Sequence, residues 1–216
     1  MKNLLLSSLL LITLFISHQA NAQLNRGMQE FFDEVTLEVG AGWHVTAGPT
    51  KDTPAAAYAS LNSFYGGMNY ALNDTWGIRG TYTFHNFQHK DLSELDLQTH
   101  RFMLEATYSL GNLFSQDYFY SYRSDFDVIA HAGFGGSFAF RKNHPTQRFR
   151  DQMLNAQIGV MPTVRLSETV SIHFDFNYVL TISQNYLFNG ELYWPENTAE
   201  AYMTMIFGVS YDLGGW

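Results

Sequence analysis

Apolar and polar side chains alternate along the segment Phe126–Phe140. One set of alternate positions is apolar and rich in aromatic rings, namely Phe126, Val128, Ala130, Ala132, Phe134, Gly136, Phe138 and Phe140. The other set is small, polar or ionisable, namely Asp127, Ile129, His131, Gly133, Gly135, Ser137 and Ala139. A side-chain period of two predicts a β-strand. The segment is about fifteen residues long, whereas a strand usually has about five or six. A tilted strand needs about nine to eleven residues to cross a bilayer, so this one is long enough.

The glycines on the polar face indicate what that face meets. A strand face in bulk water can carry polar side chains of any size, whereas glycine weakens a strand and usually marks a close approach. A closed barrel of eight strands has an interior just wide enough for side chains, so small residues must alternate with large ones. The pattern therefore favours a narrow barrel with its apolar face toward lipid and its polar face toward the lumen.

The same alternation recurs in seven further segments, Val35–Val45, Leu61–Leu72, Thr75–Phe84, Thr99–Leu110, Gln152–Leu166, Val170–Thr181 and Ala201–Leu213. The connections after the first, third, fifth and seventh strands are long and polar, and two of the other three are tight, as in barrels with short periplasmic turns. Pro162 lacks a ladder donor and predicts a bulge in the sixth strand. We predict an all-β fold, an eight-stranded antiparallel up-and-down transmembrane β-barrel spanning residues 23–216.

Composition supports lipid rather than a ligand as the neighbour of the apolar face. Aromatic residues make up 16% of the 216 residues and charged residues only 15%, and scarcely any charge falls on the apolar face. The alternative is a secreted barrel of lipocalin type with that face inward. Its cavity would be overfilled by the rings of Trp43, Trp76, Phe84, Tyr108, Phe134, Phe138, Phe174, Phe176, Phe207 and Tyr211.

Residues 1–22 have the three parts of a secretory signal peptide. Lys2 precedes the apolar run Leu4–Ile16, and Ala20 to Ala22 form a small-residue cleavage site. We expect cleavage after Ala22, because the run is too short to span a membrane comfortably as a retained anchor. The chain has no cysteine, which excludes lipoprotein attachment and disulfides, and its net charge of -8 argues against nucleic acid as a partner.

Charged side chains on the polar face predict a plug in the lumen. The alternation turns seven of them inward, namely Glu38, Arg79, Glu105, Asp127, Arg165, Asp175 and Asp212. An unpaired ion in a narrow, poorly hydrated interior is costly, so we expect Arg79 and Arg165 to pair with these carboxylates. The barrel is then closed, or at most a small, weakly cation-selective channel because carboxylates outnumber arginines.

Two other sets of residues have candidate chemistry. The alternation directs His44, His131 and His173 to the lumen, but at most two could meet, so we interpret them as satisfied polar residues and predict no metal site or cofactor. In the polar loop Asn86–Gln98 and just before it, His85, His89, Ser93 and Glu94 include the ingredients of a nucleophile and its base, although a hydrated loop is the favoured interpretation. The basic loop Arg141–Arg150 is suited to lipopolysaccharide headgroups.

Four sequence patterns resemble the OmpA-like barrels of Bacteroidetes-type bacteria: LGNLF (Leu110–Phe114), HAGFG (His131–Gly135), IGVMPTVRLSETVSIHFDFNYV (Ile158–Val179) and FGVSYDLG (Phe207–Gly214). The resemblance implies an eight-stranded barrel, often followed by a peptidoglycan-binding domain. Since the sequence ends at Trp216, we expect the barrel alone. The positions Tyr211, Leu213 and Trp216 resemble the C-terminal signal read by the barrel assembly machinery.

Two hypotheses of function remain open. The leading one is a monomeric, non-enzymatic outer-membrane barrel that contributes to envelope structure or to surface interactions, with outer-membrane lipids and lipopolysaccharide as its surroundings. The alternative is a lipid A modifying hydrolase or acyltransferase that uses the external-loop residues. Fold alone does not decide between them.

Overall fold

Eight antiparallel strands close into one barrel in the computed structural model, which describes residues 31–46, 60–87, 97–111, 125–141, 150–184 and 198–214. A short helical turn at 31–33 precedes the first strand. The strands are β1 (Val35–Thr46), β2 (Ser60–Ala71), β3 (Trp76–Phe87), β4 (Leu97–Ser109), β5 (Phe126–Arg141), β6 (Arg150–Arg165), β7 (Val170–Gln184) and β8 (Thr198–Asp212). Each strand pairs with its sequence neighbours, and β8 pairs with β1, so no edge is open. The predicted eight-stranded antiparallel barrel is confirmed.

The barrel is apolar outside and polar inside. Phe134 is 72% exposed on the outer surface, whereas Arg79 is fully buried in the lumen. This inversion of a soluble core is the arrangement of transmembrane barrels, whose lipid-facing and lumen-facing residues alternate. It also rules out the lipocalin-type alternative, in which the rings would face inward. In the part of the chain that the structure describes, no helix is long and apolar enough to span a membrane.

The two ends of the barrel differ in their connections. Segments 47–59, 88–96, 142–149 and 185–197 join strands at one end, and the turns 72–75 and 166–169, with the longer connection 110–125, lie at the other. Because outer-membrane barrels have short periplasmic turns and longer outer loops, we assign the first end to the outside and refer to it as the external end.

The structure corrects two details of the strand predictions. β3 continues to Phe87 and β4 begins at Leu97, so the predicted loop Asn86–Gln98 is shorter than expected. Phe87 and Leu97 are buried and apolar. An alternation of polar inward and apolar outward positions therefore does not mark them as strand residues. The bulge expected at Pro162 is wrong, because the register does not shift on either side of β6. It continues through Val128↔Pro162 toward β5, and toward β7 it resumes at Thr163↔His173 after a gap in the pairing at Met161 and Pro162.

Glycines make room for the large side chains of the lumen. Gly67 is the register partner of Glu38, Gly133 that of Glu105, and Gly159 that of His131. A Cβ placed at Gly67 would lie 3.1 Å from Oε2 of Glu38, and one at Gly159 would collide with the ring of His131. The alternation of small and large residues is therefore a packing requirement of this narrow interior.

Candidate functional site

A cluster of buried charges occupies the middle of the lumen, and we call it the central ionic cluster. It consists of Glu38, Arg79, Glu105, His131 and Asp175, each at most 4% exposed. Nε of Arg79 donates to Oε2 of Glu38 over 2.9 Å, and Nη2 donates to Oδ2 of Asp175 over 2.8 Å. Nη1 lies 3.5 Å from Oε2 of Glu105, an ion pair without a hydrogen bond. One guanidinium thus serves three carboxylates.

His131 also contacts two of these carboxylates, Glu105 and Asp175. Its Nδ1 lies 2.5 Å from Oε2 of Glu105, and its Nε2 lies 3.0 Å from Oδ1 of Asp175. The hydroxyl of Tyr65 accepts a hydrogen bond from Arg79, and its ring centroid lies 5.1 Å from the guanidinium carbon. Glu105 and Asp175 therefore each contact both Arg79 and His131, and Glu38 contacts Arg79, so every buried carboxylate has a partner.

The strand order shows how far this cluster reaches across the lumen. Arg79 lies on β3 and Asp175 on β7, which are on opposite sides of the ring β1–β8. Their side chains therefore extend toward each other across the lumen and meet in a hydrogen bond of 2.8 Å.

A second bridge crosses the lumen nearer the external end. Nη1 of Arg101 on β4 donates to the hydroxyl of Tyr202 on β8 over 2.8 Å, and these strands are also opposite one another. Nη2 of Arg101 donates to Oγ1 of Thr83 over 3.4 Å. No carboxylate forms an ion pair with Arg101 in the described residues. The alternation shows that Arg101 faces inward, but nothing in the sequence shows that its bridging partner is Tyr202.

Apolar side chains cluster in the lumen near its external end. We call this set the apolar cap; its members are all buried, namely Phe87, Leu97, Ala139, Met153, Val179 and Tyr202. Beside it, Oγ of Ser63 lies 2.9 Å from Nδ1 of His44 and 2.8 Å from Nδ1 of His85. The expectation that His85 belongs to an external-loop set is thus wrong, because His85 lies on β3 inside the barrel and is fully buried.

Three of the seven inward charges predicted for the plug lie apart from the central ionic cluster. Asp127 accepts hydrogen bonds from Oγ of Ser109 and from the backbone of Gly111, and Asp212 accepts one from Oγ1 of Thr36. Arg165 is the last residue of β6, is exposed, and forms no ion pair within the described residues. The pairing expected of Arg165 is therefore not found, because its position at the periplasmic rim takes it out of the lumen.

The three histidines that the sequence predicts to face the lumen have different partners. His44 forms a hydrogen bond with Ser63, His131 belongs to the central ionic cluster, and Nδ1 of His173 lies 2.8 Å from Oγ of Ser210. Among the described residues, no group of three or more His, Cys, Asp or Glu side chains could hold a metal ion.

Several of the predicted residues lie partly or wholly outside the described part of the chain. Tyr211 lies near the end of β8, where it faces outward and is 44% exposed, and Leu213, just after the strand, is 36% exposed. Trp216, the external-loop residues His89, Ser93 and Glu94, and residues 1–22 all lie outside the described residues.

Comparison with known proteins gives a likeness of fold. No protein-family model matches the chain, and no curated protein matches it. Among solved structures, the Neisserial surface protein A aligns with a TM-score of 0.56 at 10% identity, over 83% of this chain and 97% of that one. The attachment invasion locus protein Ail of Yersinia pestis gives a TM-score of 0.49 at 11% identity, over 82% and 96% of the two chains. The N-terminal β-barrel domain of Pseudomonas aeruginosa OprF gives 0.48 at 14% identity, also over 82% and 96%.

Of these three structures, only the Neisserial surface protein A has a TM-score above one half, so it alone supports a likeness of fold. At 10% identity it speaks for the fold and for nothing finer. Together with the inverted distribution of apolar and polar side chains, it identifies this chain as an eight-stranded transmembrane β-barrel similar in fold to bacterial outer-membrane proteins.

Proposed function

We propose that the protein is a non-enzymatic integral barrel of the bacterial outer membrane, with a closed lumen and a structural or surface-interaction role. The single observation that carries the proposal is the bridge from Arg79 on β3 to Asp175 on β7, which spans the lumen at 2.8 Å. The Arg101–Tyr202 bridge and the apolar cap, which share Tyr202, support it nearer the external end. A barrel crossed by side chains in this way is unsuited to bulk transport.

The finer parts of the proposal come from the sequence. Residues 1–22 act as a cleaved signal peptide, and Tyr211, Leu213 and Trp216 serve as the signal for the barrel assembly machinery. The mature barrel is an OmpA-like monomer in contact with outer-membrane lipids and lipopolysaccharide. The burial of His85 inside the lumen takes one member from the set that the enzyme alternative requires.

Planar-bilayer recording of the refolded wild-type barrel tests the closed lumen. We expect no large, steady conductance, and brief small openings for the double variant Arg79→Ala/Arg101→Ala, in which both crossing side chains are removed. Arg165→Ala is the matched control, since an exposed arginine at the rim should leave the record unchanged. Steady porin-type currents from the wild type would refute the proposal.

The enzyme alternative is tested with the same preparation. Incubation of the barrel with purified lipopolysaccharide, followed by mass analysis of the lipid A, should show no change in acyl-chain composition. Turnover by the wild type that is abolished in His89→Ala would replace the proposed function with lipid A modification.

A further inference from the structure

An aromatic groove runs along the lipid-facing surface of the barrel near its external end. It is lined by Tyr82, His100, Phe102, Phe138 and Phe140 on β3, β4 and β5, and its volume is about 590 Å³. The groove is shallow and open, so it suits a chain laid along the surface rather than an enclosed ligand. His100 lies close to the start of β4, and Phe140 is next to the last residue of β5. The groove therefore faces the outer half of the membrane.

Gly136 leaves a gap on the outward surface beside Phe102, next to the groove. Phe102 on β4 is the register partner of Gly136 on β5, and Phe102 is 54% exposed. A Cβ placed at Gly136 would meet only the backbone oxygen of Met153, at 3.7 Å. Gly136 faces outward, unlike Gly133 and Gly135, so no lumen side chain explains it. The gap beside Phe102 is open to whatever covers this surface.

The groove also contains a polar pair in an otherwise apolar surface. The hydroxyl of Tyr82 lies 2.7 Å from Nδ1 of His100, and the rings of Phe84 and Phe140 lie 5.1 and 5.7 Å from that of His100. A neutral imidazole and a phenol together hold two protons, and their mutual hydrogen bond uses one. In either tautomer one N–H or O–H donor remains, and the described residues offer it no second partner.

An unpaired donor facing hydrocarbon is costly, because lipid tails cannot accept its hydrogen bond. The interfacial part of a lipid can do so through a phosphate, ester, amide or hydroxyl oxygen. The groove thus combines aromatic side chains, along which an acyl chain can lie, with one hydrogen-bond donor for an oxygen at the head of that chain.

We propose that this groove binds lipopolysaccharide of the outer leaflet, with an acyl chain along Phe102 and Phe138 and an oxygen of the lipid A headgroup on the Tyr82–His100 pair. Charge favours this lipid over a neutral one. β5 ends at Arg141 and β6 begins at Arg150, and the sequence from 141 to 150 also contains Lys142 and Arg148 but no acidic residue. A stretch of sequence with four Lys and Arg residues and no acidic one suits the phosphates of lipid A. The inference rests on the proposed outer-membrane location.

Native mass spectrometry of the refolded full chain tests the site, with purified deep-rough lipopolysaccharide and phosphatidylglycerol as separate probes. We expect lipopolysaccharide adducts on the wild type, weakened roughly ten- to a hundredfold by His100→Leu, the effect of losing one hydrogen bond to a charged group. Tyr82→Phe should weaken them, and adding it to His100→Leu should cause little further loss, since the pair acts as a unit. Gly136→Leu should exclude the acyl chain.

Two outward substitutions elsewhere on the barrel are matched controls. Tyr178→Phe on β7 removes a hydroxyl from another exposed outward tyrosine, and Ala41→Leu on β1 places a leucine side chain at an outward position away from the groove. Both should retain lipopolysaccharide like the wild type. Heat-modifiable mobility on gels confirms that each variant is folded.

Three results would overturn the inference: unchanged lipopolysaccharide adducts in His100→Leu and Gly136→Leu, equal losses in the controls, or equal retention of phosphatidylglycerol at the same site. The last would assign the groove to phospholipid. A barrel that fractionates with outer membranes and does not conduct, yet fails these tests, would retain the proposed function and lose this site alone. Recovery as a soluble protein would remove both.

Discussion

Replacement of Arg79 by methionine tests whether the central ionic cluster is held together by one cation. The substitution preserves an unbranched side chain of similar length and removes the donors to Glu38 and Asp175 at 2.9 and 2.8 Å. It leaves three carboxylates, each at most 3% exposed. Within the described residues, Glu105 and Asp175 keep their contacts with His131, whereas Glu38 loses its ion-pair partner. Removing one partner of a buried ion pair costs about 3–5 kcal/mol. We expect the free energy of unfolding to fall by about that amount.

Arg101→Met is the matched control within the same lumen. Arg101 is 2% exposed, and it donates to the uncharged side chains of Tyr202 and Thr83. Its removal loses hydrogen bonds worth about 0.5–1.5 kcal/mol each, but it also relieves the burial of a cation that no carboxylate of the described residues pairs with. We expect a loss of about 1 kcal/mol or less.

Guanidinium titration in lipid vesicles, followed by tryptophan fluorescence, measures both variants against the wild type. The double variant Arg79→Met/Asp175→Asn should recover part of the stability lost in Arg79→Met, with a coupling of about 0.5–3 kcal/mol. Equal destabilisation by Arg79→Met and Arg101→Met would refute the reasoning, since both would then report lost packing. A loss below about 1 kcal/mol for Arg79→Met would refute it as well.

Three further predictions concern packing, export and assembly. Gly135→Ala should lower the yield of folded barrel, because its Cβ would collide with the backbone oxygen of Phe102, whereas the adjacent Gly136→Ala should be tolerated; equal yields on gels that separate folded from unfolded barrel would contradict this. The mature chain should begin at Gln23 and fractionate with outer membranes, as N-terminal sequencing of that fraction checks. Deletion of Tyr211–Trp216 should block assembly because it removes residues of the closing strand and exposes a strand edge to lipid, and normal barrel levels after the deletion would count against it.

The period of two is a reliable guide to strand number and facing in this chain. It predicts eight strands, and it turns Arg79, Glu105 and Asp175 inward, where the structure has them buried. It fails at Phe87 and Leu97 for a physical reason. The lumen becomes apolar at its external end, so inward and outward positions no longer differ in polarity and the strand seems to stop.

Partners across the lumen could not be predicted from alternation, which assigns a face but neither a height nor an opposite strand. Arg165 faces inward by alternation, yet it lies at the end of β6 and is exposed. Arg79 meets Asp175 because closure of eight strands sets β3 against β7, and Arg101 meets Tyr202 because β4 is set against β8 in the same way. His100 escaped notice since it is a single polar residue among outward rings.

The central ionic cluster also restricts the register in which the strands can pair. Arg79 and Glu105 are direct register partners on β3 and β4. A slip of one residue reverses every side chain of a strand, so it would expose Arg79 to lipid at a cost of about 2–4 kcal/mol. It would also leave Glu38 and Asp175 without their cation and drive the ring of Tyr82 into the lumen. A buried ion pair contributes little net stability compared with apolar packing, but here it makes the slipped barrel far worse than the native one. The lumen thus serves to specify the barrel, and the surfaces left for recognition are those that face lipid and the outside.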